Sequence, residues 1–164
     1  MTSVEPEARS VERERIRVEP VRTSEELELV YAIRSEVFDR EQHLTTWVRE
    51  YPEDTQSLNV LAWLDGEAVG TGRVSLWGDE AQIAWVAVRR PYRGRGVGRA
   101  IMEYLLRWAQ ERGARVATLN AQTHALEFYR KLGFRPIGRP FSMAHIEHQL
   151  MERELQPRAQ GGTA

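Results

Sequence analysis

The sequence predicts an α/β protein: a mixed sheet with helices on both faces. Three observations carry this reading. Strand-like and helix-like patterns alternate along the chain with turn residues between them. Asp65-Gly66 separates two apolar runs, residues 57–64 and 68–77, and specifies a hairpin. Residues 83–113 then read strand, glycine-rich turn, helix.

The elements follow in order. Residues 1–14 alternate charge without an apolar stripe and are expected to form a flexible lead. Arg15-Ile16-Arg17-Val18-Glu19 has period two and predicts the first strand. Thr23 and Glu26 form a capping-box pair at the start of a helix carrying Leu27, Val30, Tyr31, Val37 and Phe38. Arg34 falls inside that apolar stripe, so its head group either passes the core or faces a polar cavity. Residues 40–56 are polar with scattered anchors (Leu44, Trp47, Tyr51) and predict a short helix and a loop carrying Glu41, Glu50, Glu53 and Asp54. After the hairpin, Gly78-Asp79-Glu80 turns into a central strand ending Ile83-Ala84-Trp85-Val86-Ala87-Val88, apolar on both faces. Val97, Ile101, Leu105 and Trp108 then recur at helical spacing until Gly113. Residues 115–121 predict a strand, 123–132 a helix stopped by Gly133, 134–137 a strand, and 144–152 a last strand after a loop through Pro140. One domain is expected over residues 15–155, with a flexible tail at 156–164.

Composition narrows the function classes. The chain has 164 residues, a net charge of -1 and no cysteine. Disulfides, thiolate metal sites and a cysteine nucleophile are therefore excluded. Near-neutral charge argues against generic nucleic-acid binding. No run of about 18 apolar residues suggests a membrane span, and the start of the chain lacks the apolar core of a signal peptide. A cytoplasmic location is the expectation. His145 and His148 fall on opposite faces of a regular strand, so they cannot share one metal ion, and no metal site is expected.

The turn Arg93-Gly94-Arg95-Gly96-Val97-Gly98 concentrates the chemistry. Backbone N–H groups and the positive end of a helix dipole converge there, which suits a phosphate. Glycines permit positive φ and close approach of an oxyanion. Five arginines (Arg89, Arg90, Arg93, Arg95, Arg99) crowd the segment. A P-loop would need Gly-Lys-Ser/Thr where Val97-Gly98-Arg99-Ala100 stands. A dinucleotide site would want a carboxylate near the end of the next strand, where Thr118-Leu119-Asn120-Ala121-Gln122 has none. A coenzyme A diphosphate loop and a plain strand-to-helix turn with solvated arginines both remain.

A second motif bears on that choice. Arg93-x-x-Gly96-x-Gly98 resembles the Arg/Gln-x-x-Gly-x-Gly/Ala signature of the GNAT N-acetyltransferase superfamily, and Val88-Arg89-Arg90-Pro91-Tyr92 resembles its lead-in. Thirty residues on, Ala125-Leu126-Glu127-Phe128-Tyr129-Arg130-Lys131-Leu132-Gly133-Phe134 is similar to the helix that closes the coenzyme site in that superfamily. Arg34-x-x-Val37-Phe38-x-x-Glu41-Gln42 and Ile146-x-His148-x-x-Met151 look closest to the ElaA-like branch. The resemblance spans residues 15–152. It implies a central, mostly antiparallel sheet splayed between the fourth and fifth strands. It also implies acetyl transfer from acetyl-CoA to a primary amine of a small molecule or peptide.

The resemblance assigns roles residue by residue. Val86, Ala87 and Val88 would pair with the amide arm of the coenzyme, and a backbone N–H there would polarise the thioester carbonyl. Arg93, Gly94, Arg95, Gly96, Val97, Gly98 and Arg99 would hold its phosphates. Gln122 stands where the superfamily often has an Asn for the coenzyme arm. Tyr129 would donate to the leaving thiolate, since a phenol of pKa about 10 is protonated at neutral pH. Glu41 is the candidate general base and, with Arg34 and His148, would border the acceptor. Met143, His145, Asn59 and Asn120 depart from the ElaA-like pattern and leave the acceptor open. A non-catalytic acyl-CoA-binding module of the same fold is the alternative reading, and a homodimer is compatible with either.

Overall fold

The structure, a computed structural model, describes residues 15–44 and 57–158. The acidic loop expected to shape the acceptor side (Trp47, Glu50, Tyr51, Glu53, Asp54), the lead at 1–14 and the end of the tail lie outside the described residues. Strand β1 (Ile16–Pro20) leads to α1 (Ser24–Arg34). The capping box forms as read: Thr23 accepts from the Glu26 N–H at 3.0 Å, and the Glu26 carboxylate accepts from the Thr23 N–H at 3.2 Å. The expected single helix does not continue in one register. After Arg34 it widens into a π-helix, Ser35–Glu41. The wider turn keeps both Val37 and Phe38 buried and still brings Glu41 and Gln42 to the rim of the central cleft.

Hairpin strands β2 (Leu58–Leu64) and β3 (Glu67–Trp77) are joined through Asp65 and Gly66, both with positive φ, as a two-residue primed turn requires. Strand β4 (Glu80–Val88) follows, then α2 (Val97–Glu111), β5 (Val116–Gln122), a 3-10 turn (Thr123–Ala125) and α3 (Leu126–Lys131). The chain ends with β6 (Arg135–Pro136), β7 (Phe141–Met143) and β8 (Ile146–Glu154). One expected boundary is corrected here. Ala144 does not start the last strand; Ala144 and His145, at φ 53° and 66°, form the turn between β7 and β8.

The strands form one sheet in the order β1-β2-β3-β4-β5-β8-β6, with β7 on β8. All neighbours are antiparallel except β4 and β5, which run parallel and pair only over Glu80–Gln82 with Val116–Thr118. Beyond Gln82 and Thr118 the two strands part, so the expected splay is present. Two buried clusters fill the faces. Ile101, Met102 and Leu105 of α2 pack on one side with Val69, Val74 and Ile83. Val30, Ile33, Val37 and Phe38 pack on the other with Leu61 and Ala87. Gly70 and Gly72 in β3 let α2 approach closely: a Cβ on Gly72 would lie 2.8 Å from Ile101 and 3.1 Å from Leu105. The tight seating of α2 fixes where its N-terminus points.

Candidate active site

The parting of β4 and β5 opens a cleft of about 920 Å³. Its walls join the π-helix, the second half of β4, the glycine turn, the end of β5, α3 and the β7–β8 turn. Among the expected residues, Glu41, Val86, Ala87, Val88, Arg93, Gly94, Gly96, Val97, Gly98, Arg99, Gln122, Tyr129 and His148 all line it. Sequence motifs up to about 100 residues apart thus meet in one cavity.

The glycine turn has the geometry the sequence demanded. Gly94 and Gly96 sit at φ 78° and 88°, conformations that a side chain would resist. Gly96 occupies the position before α2, and among the described residues no side chain caps that end. The first-turn N–H groups of a 15-residue helix are therefore left for an anion. Fit to a diphosphate rests on this uncapped end together with the nearby cations. Arg90 and Arg99 are well exposed, Arg99 pairing with Glu103 at 2.9 Å, and Arg95 lies over the Tyr92 ring at 5.7 Å. Tyr92 donates to Glu67 at 2.8 Å, and that bond raises its pKa and fixes the ring on which Arg95 rests.

Arg93 behaves otherwise than expected. Its Nε donates to the Val88 carbonyl at 2.9 Å, and Nη1 and Nη2 donate to Glu41 at 2.5 and 2.8 Å. The guanidinium is thus a strut between the end of β4 and the π-helix, with both outer nitrogens engaged. The same pair bears on the base expected at Glu41. The Arg93 hydrogen bond holds the carboxyl below its usual pKa, against the opposing effect of burial. A carboxylate so stabilised is a weak proton acceptor. Arg34 needs a larger correction. It is fully buried, its guanidinium donates to Asn59 Oδ1 at 3.1 Å and lies 5.9 Å from the Tyr31 ring, and it does not line the cleft. Its place in the apolar stripe reflects a core role, with Asn59 supplying the acceptor that a buried charge needs.

Strand β4 is irregular where it faces the cleft. Between the pairs Thr71–Ala87 and Arg73–Ala84, Trp85 and Val86 on β4 oppose Gly72 alone on β3. This is a bulge, and Trp85 takes φ 54°, held by an edge-on contact with Phe38 at 5.0 Å. The bulge and the lost β5 pairing leave backbone groups of residues 83–88 open towards the cleft. Nothing in the apolar run around Trp85 announced the bulge.

Tyr129 is half-buried on α3, edge-on to Phe128 at 5.0 Å and to Phe134 at 6.0 Å. Burial alone pushes its pKa up to about 12. Among the described residues its hydroxyl has no hydrogen-bond partner, so it is free to donate to a ligand in the cleft. Gln122 closes the far side. Its amide exchanges two hydrogen bonds with that of Gln42, at 3.1 and 2.8 Å, across the mouth of the splay. Gln42 had been visible only as part of the Glu41-Gln42 pair. His148, opposite Gln122 in the β5–β8 ladder, is 5 % exposed, lines the cleft and stacks on Phe141 at 5.9 Å. Among the described residues, no group of three His, Cys, Asp or Glu side chains comes together as a metal site, and no helix is long and apolar enough to cross a membrane.

Residues 26–134 match the Acetyltransferase (GNAT) family. The chain belongs to that family. It is 32% identical over 142 residues to the Bacillus subtilis (strain 168) protein YyaT, covering 84% of this chain and 95% of that one. It is 30% identical over 134 residues to the N-acetyltransferase YjcF of the same strain, covering 81% and 96%. In fold it resembles an N-acetyltransferase structure from Lactobacillus plantarum, with a TM-score of 0.77 at 24% identity over 85% of this chain and 98% of that one, and Escherichia coli ElaA, with 0.76 at 24% identity over 85% and 99%. The GNAT domain thus carries the acyltransferase class of this family, and its family implies acetyl-CoA use and an amine-bearing acceptor.

Proposed function

We propose that this GNAT domain moves an acetyl group from acetyl-CoA to a primary amine of a small molecule or peptide by direct attack, with Tyr129 as general acid. The observation that carries the reading is the single cleft that joins the glycine turn, the open side of β4 and a half-buried phenol with no hydrogen-bond partner among the described residues. First-turn N–H groups of α2, with Arg90, Arg95 and Arg99 nearby, suit the coenzyme's phosphates. Backbone groups of Val86 to Val88 suit its amide arm, and an N–H at the bulge suits the carbonyl oxygen as charge develops on it. The Gln42 and Gln122 amides, both lining the cleft, would offer further donors and acceptors to that arm. When bound, acetyl-CoA supplies an activated acyl carbon; the chain supplies position, dryness and protons.

Tyr129 gives its proton to the departing sulfur, and the pKa of about 12 keeps that proton in place until the charge appears. The Arg93–Glu41 strut holds the π-helix against the end of β4 and so sets the width of the acceptor side. The test is calorimetry with acetyl-CoA followed by turnover across a panel of primary amines. Binding near the micromolar range with acetylation of at least one amine class is expected. Absence of binding would overturn the proposal, and tight binding without transfer would leave a non-catalytic acyl-CoA-binding module.

A further inference from the structure

We infer that His148 is the group that takes the proton from the attacking amine. This rests on the acetyl-transfer reading above and adds to it the missing half of the proton inventory. Among the described residues, seven titratable or cationic side chains line the cleft: Glu41, Tyr92, Arg93, Arg99, His124, Tyr129 and His148. The guanidinium groups have no acceptor, and a protonated phenol oxygen is too weak a base to take a proton from an amine. Glu41 has both oxygens on Arg93. His124 is exposed, at the end of the cleft where Glu41 feels its charge.

His148 differs in three ways. It is buried in the cleft wall, 5 % exposed and stacked on Phe141, so its ring is held. Its Nδ1 lies 2.7 Å from the Ile146 carbonyl, which can only accept, so Nδ1 carries the hydrogen and the neutral ring has its lone pair on Nε2. Nε2 has no hydrogen-bond partner among the described residues, and the residue lines the cavity. A ring with its tautomer fixed on one side and an open acceptor on the other is an arrangement that general bases share.

The step balances without another reagent. The amine nitrogen bonds to the acyl carbon while the carbon–sulfur bond breaks, its electron pair going to sulfur. His148 Nε2 receives the proton that nitrogen sheds, and the Tyr129 hydroxyl gives one to sulfur. Proton exchange with water restores both side chains, so the net change is one proton moved from nitrogen to sulfur.

The test uses S-bromoacetyl-coenzyme A, whose bromomethyl carbon stands where the acetyl group would. Peptide mass spectrometry of the wild-type protein should find one coenzyme adduct on His148. His148→Asn, whose amide nitrogen can keep the bond to the Ile146 carbonyl, should bind coenzyme A with unchanged calorimetric affinity and escape labelling. With an accepted amine, His148→Asn should lower kcat at least 100-fold and change the amine KM less than threefold, and free imidazole should restore part of the rate of His148→Ala. Coenzyme binding with His148 unlabelled, or a His148→Asn variant with wild-type kcat, overturns the inference while acetyl transfer stands. Failure to bind coenzyme A at all would remove both.

Discussion

Replacing Tyr129 with Phe separates catalysis from folding more cleanly than any other change in the cleft. The hydroxyl has no protein partner among the described residues, and the ring contacts with Phe128 and Phe134 survive the substitution. Stability at pH 7 should therefore move by no more than about 0.5 kcal/mol. Chemistry should respond far more. Burial raises the phenol from 10.0 to about 12, which disfavours the phenolate by about 2.7 kcal/mol. Donation to a thiolate of conjugate-acid pKa about 8.5 is uphill by about 2 kcal/mol in water. Burial in the same cleft would raise a departing thiol as it raises the phenol, which narrows that gap. Loss of such a proton donor typically lowers kcat by about 10²–10⁴-fold, or roughly 2.7–5.5 kcal/mol of barrier. Steady-state release of free coenzyme thiol gives kcat, and calorimetry should give a coenzyme affinity within about twofold of wild type. A second readout checks the environment independently. The unfolded chain loses this proton near pH 10 and the folded chain keeps it to about 12, so wild-type stability must fall across that window. Tyr129→Phe should flatten the corresponding part of the pH–stability curve. A variant with wild-type kcat would refute Tyr129 as the acid.

Other changes test neighbouring parts of the structure. Glu41→Gln breaks the strut to Arg93: because the folded pKa of Glu41 is lowered, its contribution is complete above the usual value of 4.5 and lost as pH falls below it. Acid unfolding followed by circular dichroism should show that limb shrinking in the variant. Gly96→Ala meets no atom within 4 Å but must hold φ 88°, so a cost of about 1–2 kcal/mol should come from backbone strain, with coenzyme affinity reduced at least tenfold by calorimetry. Gly72→Ala drives a methyl against Ile101 at 2.8 Å and should cost about 1–3 kcal/mol in urea unfolding. His145→Gly relieves a residue at φ 66° and should raise the melting temperature by about 2–4 °C.

Much of the fold was legible because its signals are local. The Thr23–Glu26 capping box, the Asp65-Gly66 hairpin and the glycine turn before α2 each depend on a few adjacent residues, and each formed as read. The cleft residues were legible through paired motifs whose spacing a single fold satisfies. What escaped depends on contacts between distant elements. The π-helix arises where Val37 and Phe38 must both reach the core, which a plain 3.6-residue period does not reveal. Arg34 looked like a cleft residue because nothing in its own helix says that Asn59, 25 residues on, will receive it. The pairing of Glu41 was hidden for the same reason: its partner Arg93 lies 52 residues away. The Ala144-His145 turn was missed because it contains none of the glycine, proline, asparagine, aspartate or serine that usually mark a turn.

One experiment bears on the whole reading at once: a crystal structure of the protein with acetyl-CoA. The diphosphate should rest on the N–H groups at the start of α2, and the sulfur should come within about 3.5 Å of the Tyr129 hydroxyl. A coenzyme bound elsewhere, or a sulfur out of reach of that hydroxyl, would contradict the assignment of this cleft.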